Sequence, residues 1–219
     1  MKRFLFAAAL LALLIAMPAE ARIIDVTAWY GWVDLSGDTT LESIDPDEID
    51  DVDLDFDSET GYGLGVNLFL GNRLSLAASI HRFEPDAFTT ANDPSLPALA
   101  IGQLELIPVT AVLQLHLLPN SRIDPYVGIG VGYILVDDIE NREDLENVDF
   151  DRVALEDDYG LVYNLGVSID LAAAFALNLD AKYIPVDSAA TVVFLTGPGQ
   201  ESSIEVNPLI LSAGLSFQF

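Results

Sequence analysis

The chain has 219 residues, no cysteine, and 35 acidic against 9 basic side chains, a formal net charge of -26 at pH 7. Such a surface repels nucleic acid and attracts cations, and without cysteine no disulfide framework can hold the fold, so strand pairing must. A hydrophobic content of 51% excludes disorder as the meaning of the charge.

Met1–Ala21 opens with Lys2 and Arg3, continues through the apolar run Phe4–Met17 and closes on Ala19-Glu20-Ala21. A charged start, a short oily core and a small-residue site predict a secretory signal peptide over 1–21, cleaved before Arg22. The run is shorter than the roughly 18 apolar residues of a transmembrane helix. Residues 22–219 are then one all-β domain of roughly 200 residues, a size at which a barrel needs no second core.

From Ile24 to Asp34, Val26, Ala28, Tyr30 and Trp32 share one face and Asp25 and Thr27 the other. This period of two marks a strand with one oily side. Tyr62, Leu64, Val66, Leu68 and Leu70 form the next outward row, backed by Gly61, Gly63, Gly65 and Asn67. Gly71-Asn72 is a tight turn into Leu74, Leu76, Ala78 and Ile80 outside and Ser75, Ala77, Ser79 and His81 inside. The fourth run, Leu106–Leu117, sets Ile107, Val109, Ala111, Leu113, Leu115 and Leu117 against Thr110, Gln114 and His116, and Pro119-Asn120-Ser121 turns it back. The fifth, Ile123–Leu135, sets Val127, Ile129, Val131, Tyr133 and Leu135 against Asp124, Tyr126, Gly128, Gly130 and Gly132. In the sixth, Tyr159, Leu161, Tyr163, Leu165, Val167, Ile169 and Leu171 oppose Gly160, Asn164, Gly166, Ser168 and Asp170. In the seventh, Phe175, Leu177, Leu179, Ala181 and Tyr183 oppose Asn178, Asp180 and Lys182. The last run places Leu209, Leu211, Ala213, Leu215, Phe217 and Phe219 opposite Ser212, Gly214, Ser216 and Gln218. Its aromatic end suits the interfacial girdle of an outer-membrane barrel.

About eight strands, an even number, predict an all-β fold: an eight-stranded antiparallel transmembrane β-barrel with short periplasmic turns and long extracellular loops. Short connections fall near Gly71, Pro119 and Ala172, and long polar ones near 36–59, 84–103, 137–158 and 187–202. Antiparallel strands then put every long loop at one end and both termini at the other. A secreted soluble barrel would carry charge on its outer rows. Here the rows facing away from Asp25, His81, His116, Asp124, Asp170, Asp180 and Lys182 hold almost none, which places the chain in the bacterial outer membrane.

Pro125-Tyr126-Val127-Gly128-Ile129-Gly130-Val131-Gly132-Tyr133 resembles the fifth strand of the outer membrane protein W (OmpW) family. Pro108, Gly160, Gly166, Lys182-Tyr183-Ile184, Asn207-Pro208 and Ser212-Ala213-Gly214 fit the same resemblance, which spans the mature chain. It implies a small barrel that passes small, mostly hydrophobic molecules through a narrow apolar lumen, with release sideways into the membrane. Positions where related proteins narrow that lumen with large apolar side chains are held here by Ala77 and Lys182, and a methyl group and an ammonium cannot form an apolar plug. The alternative is a structural or surface-binding barrel whose acidic loops meet divalent cations, lipopolysaccharide or a host surface, without transport.

The lumen-lining candidates for a transport path are Asn67, Ala77, His81, Gln114, His116, Asp124, Tyr126, Asn164, Asp170, Asp180 and Lys182. Lys182 is expected to pair across the lumen with a carboxylate, because burying an ammonium alone costs several kcal/mol. A lipid-deacylating enzyme would need a nucleophile within hydrogen-bond reach of a histidine and a carboxylate to orient it. The sequence pairs no such nucleophile and base, and Arg82-Phe83 and Leu117-Leu118 after the two histidines exclude a His-x-Ser arrangement. No enzymatic role and no cofactor are expected. Asp51, Asp53, Asp55 and Asp57 share one parity and are weak candidates for a divalent cation; Phe56 and Tyr62 stand where an EF-hand loop needs glycine and glutamate. The glycine rows lie on strands without a following helix, so they bind no nucleotide phosphate and instead remove inward side chains at their own positions and allow strong curvature; a barrel this small packs much of its interior with side chains. Purified chain should run faster on a gel before heating than after it and give β-type circular dichroism in detergent; a soluble monomer obtained without detergent would overturn the membrane assignment.

Overall fold

The computed structural model describes residues 23–36, 40–41, 52–91, 99–119, 121–136, 139–140, 152–155, 157–172, 174–193 and 200–219; the expected signal peptide, Met1–Ala21, lies outside them. The described residues form β1 (Ile24–Ser36), β2 (Thr40–Leu41), β3 (Val52–Phe56), β4 (Glu59–Phe69), β5 (Leu74–Arg82), β6 (Asp86–Ala91), β7 (Leu99–Gln103), β8 (Leu106–His116), β9 (Ile123–Val136), β10 (Ile139–Glu140), β11 (Arg152–Leu155), β12 (Asp158–Ala172), β13 (Phe175–Tyr183), β14 (Val186–Val193) and β15 (Gln200–Gln218). Eight of them, in the order β1-β4-β5-β8-β9-β12-β13-β15, make a closed antiparallel barrel. Closure is the pairing of β1 with β15, from Asp25↔Gln218 to Ser36↔Asn207.

The remaining strands lie in stretches that read as polar loops in the sequence. β2, β3, β6 and β7 form a second sheet, and β14, β11 and β10 continue from the upper part of β15. The barrel hairpins thus run on beyond short interruptions, two of them at Pro85 and Pro185, where a missing N–H stops the ladder. Strands outside the hydrocarbon need no oily face, and of these only the five-residue β3, Val-Asp-Leu-Asp-Phe, alternates as the barrel strands do.

The outward rows are as apolar as a lipid-facing wall requires. Leu64, Ile129, Val131, Leu161 and Leu165 are each more than half exposed, a belt that would aggregate in water and is covered by acyl chains in a bilayer. At the end carrying the termini, Phe175, Phe217 and Phe219 meet edge to face at 5.1 and 4.6 Å. Toward the other end stand the exposed Tyr30, Tyr62, Tyr159 and Tyr163. The phenyl and phenol rings make the two interfacial girdles.

The short turns are all at the terminal end. Gly71 has φ of 119°, a conformation that a side chain resists, and it lets β4 return as β5. Other glycines remove an inward side chain where a large neighbour fills the space. A Cβ at Gly65 would sit 2.6 Å from Trp29 Nε1, and one at Gly61 would sit 2.6 Å from the Phe83 ring. Gly128 faces Val112 in the same way, and Gly166 lies under the Tyr126 phenol. In so small a barrel each large inward side chain needs a neighbour with none. Gly166→Val should destabilise the folded barrel by about 1–3 kcal/mol, the usual cost of overpacking, read as a lower urea midpoint for the heat-modifiable form, whereas Leu165→Val on the lipid face should leave it almost unchanged.

Candidate functional site

The lumen has two layers, set by which end of each strand contributes. In the half nearest the termini most inward residues are polar, and many are hydrogen-bonded to one another. Asn67 Nδ2 donates to Gln114 Oε1 at 3.1 Å, Gln114 Nε2 to Asn164 Oδ1 at 2.8 Å, and Asn164 Nδ2 to Asp180 Oδ2 at 2.8 Å. Tyr126 Oη donates to the same carboxylate oxygen at 2.8 Å, and Lys182 Nζ to its other oxygen. One network therefore ties β4, β8, β9, β12 and β13 together. Of the expected lumen residues, Asp170 accepts from Gln218 Nε2 at 3.2 Å near the lower rim, and Ala77 sits in the wall of an internal cavity.

Lys182 is 3% exposed and its partner is Asp180. The sequence-based expectation of a pair across the lumen is corrected: residues i and i+2 of one strand share a face, so the ammonium reaches its own neighbour and never spans the barrel. It also lies 5.4 Å from the centre of the Trp29 ring, a cation–π contact. Trp29 is the inward residue that the alternation of β1 places between Thr27 and Gly31, and its indole takes up the space left by Gly65 and Gly214.

His116 meets the test that the sequence alone could not meet. Ser75 Oγ lies 3.0 Å from His116 Nε2, Asp124 Oδ2 lies 2.7 Å from Nδ1, and the Leu118 backbone N–H donates to Asp124 Oδ1 at 3.0 Å. The spacing is that of a nucleophile, base and orienting carboxylate. Ser75, however, has no exposed surface, and Phe69 packs against the imidazole in a tilted arrangement with ring centres 5.1 Å apart, so no substrate carbonyl reaches the hydroxyl in this conformation. The carboxylate orients the imidazole and holds the Leu118 backbone to the barrel. The signal for the trio lay in the register, since Ser75 and His116 come from strands paired through Ser75↔Gln114.

Above the polar layer the interior turns apolar. Val33, Phe83, Leu106, Ile134, Ile184 and Ile210 are inward and at most 2% exposed, part of one cluster that continues to Leu35, Leu104 and Val186. This plug does not use the Ala77 and Lys182 positions, although Ile210 is the cross-strand neighbour of Lys182. Sequence periodicity misses it because Ile134 is followed by Leu135 and Ile210 lies between Leu209 and Leu211, so both parities are apolar there and the alternation fades. His81, 1% exposed, sits at the junction, stacked on Phe83 with ring centres 6.0 Å apart.

The acidic stretch stands apart from the lumen. Asp53 and Asp55 fall in β3 opposite Thr90 and Phe88, Asp57 is exposed beyond its end, and Asp51 lies outside the described residues. Among the described residues no group of three or more histidine or acidic side chains could hold a metal ion.

With the barrel and its lumen in place, a profile of the OmpW family matches residues 26–219. The chain belongs to the OmpW family. Outer membrane protein AlkL of Ectopseudomonas oleovorans is 34% identical over 120 residues, 54% of this chain and 49% of that protein. Outer membrane protein W of Vibrio cholerae is 27% identical over 121 residues, 54% of this chain and 55% of its own length. The chain spans about half the length of the curated relatives it matches. Among solved structures, OprG from Pseudomonas aeruginosa superposes with a TM-score of 0.77 at 20% identity, covering 91% of this chain and 96% of that one. AlkL in lipid bilayers gives 0.67 at 22% identity, covering 93% and 94%. At such identities the likeness is one of fold, and it makes this OmpW-family chain an outer-membrane barrel. Asp180→Asn should take from the buried Lys182 the carboxylate it is paired with and cost about 3–5 kcal/mol, seen as loss of the heat-modifiable band at lower urea, while Asp180→Asn combined with Lys182→Met should recover most of that loss.

Proposed function

We propose that this OmpW-family barrel is a passive route for small, mostly apolar molecules across the outer membrane. The observation that carries the reading is the apolar layer of Phe83, Ile134, Ile184 and Ile210 in the upper lumen. A water-filled pore for polar solutes would have no use for such a layer, whereas an apolar solute entering from outside exchanges water for hydrocarbon contact at about 25 cal/mol per Å² of its surface. The polar half below is filled by hydrogen-bonded side chains around a cavity of about 40 Å³, so a straight aqueous passage is closed, as expected of so narrow a barrel. Release sideways into the membrane, the behaviour that the family resemblance implies, fits this closed lower half.

A deletion strain and a complemented strain should take up a small hydrocarbon at different rates, the complemented one faster. Phe83→Ala, which thins the plug, should raise that rate several-fold, and Ile184→Trp, which thickens it, should lower it. Equal rates in all four strains would overturn the conduit and favour a surface-binding barrel with acidic loops directed at cations, lipopolysaccharide or a host surface.

A further inference from the structure

Apolar solute contacts account for the upper layer and leave a feature of the junction beneath it unused. The cavity of about 40 Å³ is walled by Trp29, Asn67 and Ser168 among others. Each of these carries a buried polar atom, Trp29 Nε1, Asn67 Oδ1 and Ser168 Oγ, with no hydrogen-bond partner among the described residues. Ser168 is only 2% exposed. Buried polar groups are ordinarily paired, and three exceptions around one cavity mark a place built for something polar. His81, just above, has both ring nitrogens unpartnered as well, and its ring centre lies 6.3 Å from that of Trp29. A cavity of this size takes two or three waters or one small polar group.

The chemistry of the wall selects that group. Trp29 Nε1 can only donate, Asn67 Oδ1 can only accept, and a serine hydroxyl does either. A hydroxyl accepts from the indole and donates to the amide oxygen, so it satisfies both. A carboxylate offers no donor, and Asp25 and Asp180 already stand in the wall against one ammonium, Lys182, which Asp180 engages. An alkylammonium offers no acceptor to the indole, and an alkane offers neither.

We propose that the lumen is a binding site for an apolar molecule with one terminal hydroxyl, a primary alkanol, its oxygen in the cavity beside Trp29 and its hydrocarbon in the layer of Phe83, Val33 and Ile210. The proposal deepens the conduit reading and rests on it for the place of the hydrocarbon tail. It makes the barrel selective for oxygenated hydrocarbon at the point where apolar lining gives way to polar lining.

The chain has 2 tryptophans, and Trp32→Phe on the outward row leaves Trp29 as the sole reporter. This variant, in lipid nanodiscs, is titrated with 1-decanol, decane, decanoate and decylamine, compared at equal mole fraction in the membrane, while Trp29 emission is followed. Saturable change with 1-decanol at lower concentration than with the other three is expected. Ser168→Ala should weaken it about fivefold, the effect of one lost hydrogen bond, and Ser168→Thr, which keeps the hydroxyl, should restore it; gel migration confirms that each variant is folded. Decanol binding no tighter than decane, binding led by decylamine, or a Ser168→Ala variant with unchanged affinity in folded protein overturns the site. Uptake of hydrocarbon by the complemented strain without decanol preference in nanodiscs leaves the conduit standing and overturns this site; decanol preference without any uptake difference upholds the site and overturns the conduit.

Discussion

In hydrocarbon every backbone N–H and C=O must be paired within the protein. The sheet must therefore close, and the ladder between β1 and β15, from Asp25↔Gln218 to Ser36↔Asn207, is the contact on which everything else depends. Eight strands closed in this way leave an interior just wide enough for side chains to fill. Space inside is consequently shared out between neighbours: Trp29 lies against Gly65 and Gly214, Phe83 against Gly61, Tyr126 against Gly166. The glycines are the complement of the large residues and not a sign of an open bore.

The same closure divides the interior by height. Near the termini the inward rows meet as amides, hydroxyls and carboxylates, and burial there is tolerable because one donor chain runs from Asn67 through Gln114 and Asn164 to Asp180. The Lys182 ammonium ends that chain as an ion pair within the strand, which removes the charge from the lumen without removing the polarity. Higher up, apolar side chains meet without polar partners to satisfy. The character of the lining changes within the width of one or two side chains, and the unpartnered atoms of Trp29, Asn67 and Ser168 lie on the polar side of that boundary.

Relatives share this architecture more than they share residues. OprG matches over 91% of the chain at 20% identity. The boundary layer here holds the Trp29 indole, with the His81 ring centre 6.3 Å from its own and the Lys182 ammonium 5.4 Å from it.

The sequence by itself determined the barrel strands, their outward faces, the long and short ends and the set of polar residues turned inward, because alternation along one strand is a local property that a lipid face enforces on every strand separately. Asn67, Gln114, Asn164, Asp180 and Lys182 are legible as inward from that alone. What they touch is not, since the stagger between strands decides which inward residues share a level, and nothing in the periodicity of one strand records the register of the next. Ser75 and His116, 41 positions apart, meet only through that register, as do Gln114 and Asn164, 50 apart. The apolar plug was hidden for a second reason: above the polar layer both faces of a strand are oily, so alternation vanishes where the interior begins to matter most. Tertiary structure alone decided the partner of Lys182, the strands within the apparent loops and the boundary between the two layers, the last a consequence of closing the sheet.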